Sequence, residues 1–177
     1  MTDKPRSTVY SRLSSGLALV LTGLLAGAFF YGWAVEAPTF ADVPMDVHLS
    51  YRVQLMDRNG LYMPFLGIAS GLALIWTAIT FRGSARWFAA AAAVSAVTSQ
   101  LVTRFGNVPI NGEVRQWKEH GPPADFQDRL DTWWMFHDLR FALAAGALVL
   151  IVLAVDRNRR SGRSRQETTA EAVVPRQ

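Results

Sequence analysis

Apolar and polar stretches alternate along the chain, and four of the apolar blocks have the length of a bilayer crossing. Residues Gly16 to Val35, GLALVLTGLLAGAFFYGWAV, run for 20 positions without a charge. At about 1.5 Å per helical residue that is enough to cover about 30 Å of hydrocarbon. Blocks of similar character follow at 61–81, 87–105 and 134–155. The pattern predicts an all-α protein, an integral membrane four-helix bundle with one span in each block. A cleaved signal peptide is the rival reading of the first block, but the run exceeds the usual signal core of about 7 to 15 residues and no clean small-x-small site follows. It is read as an uncleaved span.

The polar stretches fall into an order that suits this bundle. Residues 1–15 form a short basic segment, 36–60 and 106–133 are expected to be outer loops, and 156–177 is a basic tail expected to be disordered from about Arg159. In the first loop Asp42 or Asp46 is placed to cap a short amphipathic helix through His48, Tyr51, Leu55 and Arg58, which Asn59-Gly60 would interrupt. Pro64 is expected in the first turn of the second span, where a missing N–H costs little. Gly121-Pro122-Pro123 breaks any helix in the second loop. Gly23 with Gly27, and Gly67 with Gly71, are small-xxx-small pairs that let backbones approach; they suit packing within the bundle or a homo-oligomer interface.

Composition narrows the class. Half of the 177 residues are hydrophobic and 18% are charged, below the roughly 25% of soluble domains. A net charge of +4 with a pI near 10 would suit nucleic acid, but the basic residues sit at the ends of apolar blocks, so the expected partner is the lipid bilayer and no nucleic acid. The N-terminal segment, the 82–86 turn and the tail hold eleven Lys or Arg (three, two and six). The two loops hold five, against nine carboxylates. Both termini are therefore expected in the cytoplasm, in a multi-pass protein of the plasma membrane. No cysteine is present, which excludes disulfides, cysteine-ligated metal and a thiol nucleophile.

Candidate chemistry concentrates between Gln100 and Arg140. Gln100, Thr103, Arg104 and Asn107 follow i, i+3, i+4, i+7 spacing, and Trp133, His137 and Arg140 follow i, i+4, i+7, so each set forms one stripe on a helix. Polar groups so near hydrocarbon are costly and should face the bundle interior or a wet cavity. His137 is the best base, since its ordinary pKa lies near 6.5 and it stands beside Asp138 at a helix start. Bland readings stand beside this one. His137 would bond a neighbouring helix, Arg140 would pair with Asp138 or Glu36, Asn107 and Asn111 would cap a turn around Pro109, and the tryptophans would anchor the interface. Three histidines, His48, His120 and His137, lie on the outer side without close spacing; this is a weak signal for metal or haem, and no metal site is assigned.

Three features carry a resemblance to a known family: the first span ending in Glu36-Ala37-Pro38, the Asn-x-Pro-x-Asn element of Asn107, Pro109 and Asn111, and the Trp-rich start of the last span with Arg140 three residues after His137. Over about residues 16–155 the chain resembles the anthrone oxygenases, small four-helix membrane proteins long grouped as a domain of unknown function. The resemblance implies oxidation of an anthrone-like or quinone-like aromatic lipophile by O2 without cofactors, neither metal nor flavin. Such chemistry needs a base for an acidic C–H proton, donors for the resulting anion and a dry apolar pocket. His137 and Arg140 are the expected catalytic residues, with Asn107, Asn111, Trp134 and Glu36 against the substrate and Trp133 and Phe136 as flat walls. The alternative class is a non-enzymatic membrane subunit, scaffold or lipid-binding protein. An enzyme needs a pocket lined by His137, Arg140 and Asn107, whereas a scaffold packs them against one another.

Overall fold

A computed structural model describes residues 4–173, with side chains from 9 to 163. The outermost residues of the two expected cytoplasmic segments, 1–3 and 174–177, lie outside the described residues. Six α-helices follow in order: α1 (Lys4–Tyr31), α2 (Ala37–Asp42), α3 (Met45–Thr80), α4 (Ser84–Val102), α5 (Val108–His120) and α6 (Phe126–Val173). Two five-residue π turns, 32–36 and 103–107, join α1 to α2 and α4 to α5 with little break, so the chain forms four long rods. Each rod contains a stretch long and apolar enough to cross a membrane. The protein is an all-α, multi-pass membrane bundle.

The rods run up and down in sequence. α1 packs on α3 and α6, and α4 packs on α3 and α6, giving a closed square. The turn between α3 and α4 is tight because Gly83 takes φ +60°, a conformation that suits a residue without Cβ. Arg86 then folds back to donate to the carbonyls of Ala78 and Ile79 at the end of α3. Gly121, at φ +87°, and the two prolines after it separate α5 from α6.

Side-chain size is distributed as a membrane bundle requires. On α3 the large apolar residues Leu61, Phe65, Ile68, Leu72, Ile75 and Ile79 face outward, while Gly67 and Gly71 face α4, toward Gln100 and Val97. Ala85, Ala89, Ala92 and Ala96 form the inner stripe of α4 and are almost fully buried. Hydroxyls tie the rods together: Thr22 to Ser70 at 2.9 Å, Ser95 to the Leu143 carbonyl at 2.8 Å and Ser99 to the Arg140 carbonyl at 2.9 Å.

The two stretches expected as outer loops are mostly helical. α3 runs unbroken through Asn59-Gly60 and Pro64, so Pro64 lies inside a helix rather than in its first turn. α5 packs on the start of α3, where Leu49, Val53, Ile110, Val114, Trp117, Leu130 and Trp133 form a separate apolar core. That second core explains the difference: local breakers are overridden when a helix gains a buried face. α6 likewise remains helical past Arg159 to Val173, with no proline between Phe126 and Val173 to stop it.

Candidate functional site

At one end of the bundle, between the alanine-lined core and the α3–α5 core, lies a layer of polar and aromatic side chains. The two π turns frame it, and each ends two residues before a proline. Ala37 N–H bonds the Gly32 carbonyl and Val108 N–H bonds the Thr103 carbonyl, five residues back in both cases. Pro38 and Pro109 have no N–H to continue the ordinary ladder, and their rings crowd the carbonyl four residues earlier. A π turn accommodates both, and such turns widen the helix where a site needs room.

Gly32, in the first π turn, lets α6 approach: a Cβ there would lie 2.7 Å from His137 Cε1. Gly106, in the second, does the same for Phe136, whose ring would stand 2.6 Å from an added Cβ. His137 is consequently buried, with 2% of its surface exposed. Its Nε2 lies 3.0 Å from the Phe29 carbonyl, and its Nδ1 lies 2.7 Å from Arg140 Nη2 and 3.3 Å from Arg140 Nε. A carbonyl can only accept and a guanidinium can only donate. The pattern therefore assigns a neutral imidazole with its proton on Nε2. The ring stacks on Trp133 at 5.4 Å and meets Trp134 edge-on at 5.4 Å.

The second stripe, Trp133, His137 and Arg140, is thus assembled as its spacing implies. Arg140 lies 4.6 Å above the Phe29 ring and 5.2 Å from that of Trp133. Asp138 points away into the exposed surface, as residues two apart on a helix must. Of the first stripe, Asn107 is fully buried but Arg104 is exposed. The π turn at 103–107 places extra residues in the turn, so even 3.6-residue spacing no longer predicts the face.

Asn107 and Asn111 hold Trp133. Asn107 Nδ2 donates to the Trp133 carbonyl at 2.9 Å, and the Trp133 indole N–H donates to Asn111 Oδ1 at 2.7 Å. Neither asparagine caps a turn around Pro109: α5 has no side-chain cap, and the helix continues through it. Trp133, 8% exposed, is an interior side chain rather than an interface anchor. Glu36 is half-buried at the end of the first π turn and interacts electrostatically with Arg52 and Arg140.

Arg52 and His48 join the site without having been expected there. Arg52, 3% exposed, lies 4.2 Å from the Trp133 ring, 5.3 Å from Trp134 and 5.7 Å from Phe40. His48, one turn earlier, accepts from Arg52 Nη1 at 3.3 Å and stacks on Phe40 at 4.5 Å. The available signal was the register Met45, His48, Leu49, Arg52, Val53 and Met56, an i, i+3, i+4, i+7, i+8, i+11 face that includes an arginine among apolar neighbours. His120 stands apart at the exposed C-terminal end of α5, bonded to the Gln116 carbonyl. Among the described residues no three His, Cys, Asp or Glu side chains gather as a metal site.

Four buried polar atoms in or beside this layer have no partner: Arg52 Nε and Nη2, Gln100 Nε2 and Asn107 Oδ1. Unpaired donors and acceptors in an interior are rare and costly. Aromatic rings, two guanidiniums, an unprotonated imidazole nitrogen and these free atoms are thus gathered in one buried layer.

A comparison with known families supports the same direction. The family model described as Anthrone oxygenase matches residues 54–150, more than half of the chain and all of α4, α5 and the start of α6. No curated protein and no solved structure matches. On that match, over the segment that holds Asn107, Asn111, Trp134, His137 and Arg140, the chain belongs to the anthrone oxygenase family.

Proposed function

We propose that the protein oxidises an anthrone-like or quinone-like aromatic lipophile with O2, in the layer around His137. The observation that carries this reading is the neutral His137 imidazole, whose Nδ1 is available to a proton once Arg140 turns from it, set between Trp133 and Trp134. The ring methylene of the substrate loses a proton to Nδ1. The resulting anion, its charge delocalised onto oxygen, is oxidised by O2, which bonds to the same carbon and takes up the proton from the imidazolium. Loss of water from that hydroperoxide leaves a ketone. One oxygen atom enters the product, the other leaves as water, and the two methylene hydrogens leave with it.

Arg140 has two roles in this scheme. It donates to His137 in the resting protein and turns to the developing oxyanion as charge appears, where a charge-assisted bond is strongest. Asn107 and Asn111 hold Trp133 as a wall, and Glu36 balances part of the cationic charge. On the basis of its terminal arginines we place both ends of the chain in the cytoplasm and the site on the outer side of the plasma membrane.

The test is oxygen-dependent anthrone oxidation by membranes carrying the wild-type chain, the His137→Ala variant or no protein. The wild type should exceed empty membranes, and the variant should lose about 10²-fold or more of that excess, as expected for a missing general base. Equal rates in all three would overturn the assignment. One observation favours a second, non-enzymatic reading: His137, Arg140, Asn107 and Trp133 bond one another, as a packing role requires. In that reading His137→Ala lowers the unfolding temperature and membranes never exceed the blank.

A further inference from the structure

Arg52 is the cation that the bundle has left open. Its side chain is 3% exposed, one amino group donates to His48 Nε2, and both Nε and Nη2 lack a partner. A guanidinium presents five N–H donors and accepts nothing, so these two donors call for an acceptor, and no atom of the described residues bonds them. Arg140 cannot take the same role in the resting state, because Nε and Nη2 both point at His137 Nδ1.

Charge points the same way. The layer holds two guanidiniums, Arg52 and Arg140, and one carboxylate, Glu36. Both His48 and His137 accept from an arginine and are therefore neutral. The layer carries excess positive charge in a low-dielectric setting, and a monoanion would compensate it. Around Arg52 stand Trp133 at 4.2 Å, Trp134 at 5.3 Å and Phe40 at 5.7 Å, which are walls for a flat ring rather than for phosphate or sulfate. Asn107 Oδ1, whose Nδ2 holds the Trp133 carbonyl, is an unpaired acceptor for a second hydroxyl.

We propose that Arg52 binds the ionised oxygen of a hydroxylated aromatic substrate, with Asn107 Oδ1 accepting from a second hydroxyl of the same ligand. This deepens the oxidase reading and rests on it for the aromatic character of the ligand. Arg52 lies outside the segment matched by the family model, 54–150.

The experiment uses purified full-length protein in detergent and two probes, 2-hydroxyanthraquinone and unsubstituted anthraquinone. The first changes colour on ionisation, so its bound form reads directly from the visible spectrum. One pH unit below the probe's own pKa in that detergent, wild-type protein should bind it as the anion. Arg52→Gln should bind the anion about tenfold or more weakly, the loss expected for a charge-assisted bond, and should bind anthraquinone within twofold of wild type, which also shows that the variant is folded. Arg52→Lys should restore part of the anion band. A wild-type spectrum of the neutral phenol, or an unchanged anion band in Arg52→Gln, would overturn the role of Arg52 while leaving the aromatic-ligand reading intact. Failure of the wild type to bind either probe would remove both.

Discussion

The two ends of the bundle are built from the same four rods yet solve opposite problems. Toward the α3–α4 turn the interior is Ala85, Ala89, Ala92, Ala96, Ala147 and Ala154 around Leu74, Phe81 and Ile151, with hydroxyl pairs such as Ser14 with Thr80. Every element there is regular helix, and the polar groups pair with one another. At the other end two π turns interrupt the rods and bulky rings replace alanine. Two arginines and two histidines share the space, and four polar atoms in or beside it lack partners. Small side chains allow flush packing, driven by contact and by hydrogen bonds, where lipid provides no hydrophobic drive. The other end gives up that packing to hold charge, as sites for chemistry do.

The largest effect expected from this contrast is at Gly32. Gly32→Ala puts a Cβ 2.7 Å from His137 Cε1, and the ring is held on both nitrogens, so it must tilt. Anthrone oxidation should fall by about 10²-fold, the usual consequence of moving a catalytic group by roughly 1 Å. Gly23→Ala, whose new Cβ meets only Leu148 Cδ1 at 4.0 Å, should leave oxidation within twofold. Equal rates for the two variants would mean that the position of the ring does not matter to the reaction.

A smaller effect, on stability rather than rate, belongs to the alanine end. Ala92 is fully buried, so Ala92→Leu forces side chains apart at a cost of about 1 to 3 kcal/mol. The measurement is thermal unfolding in detergent followed by circular dichroism, alongside oxidation per folded molecule. A lower unfolding temperature with unchanged specific activity would keep the two ends separate, and a parallel loss of both would join them. The smallest effect is expected at Thr22→Val, which removes the 2.9 Å contact with Ser70. In membrane bundles such bonds average about 0.6 kcal/mol, so the same assay should register a shift near its resolution. A loss comparable with that of Ala92→Leu would show that hydroxyl pairs, not small-residue packing, hold that end.

Much of this architecture can be read along the chain. The uncharged run from Gly16 to Val35 and the three later blocks specify four spans, because a residue's preference for hydrocarbon is local and additive. His137 and Arg140 were recognisable because α6 is regular there and 3.6-residue spacing holds. Arg104 was misplaced by the same rule, since the π turn at 103–107 shifts the register. Helix through Asn59-Gly60 and Pro64 was not legible either. It depends on the apolar face that α5 and α6 cover with Ile110, Val114 and Leu130, residues far along the chain.

The sequence by itself determined the class of the protein, the number of its spans and the ring of polar residues at their ends, because each follows from composition over one helix length. Only the tertiary structure decided which of those residues meet. Arg52 from α3, Phe29 from α1, Asn107 from the second π turn and His137 from α6 lie on four different rods. Their convergence depends on helix packing at Gly32, Gly67 and Gly106, where the absence of a Cβ lets a neighbouring side chain reach the backbone. Close approach of that kind is a property of pairs of helices, and no single stretch of chain contains it.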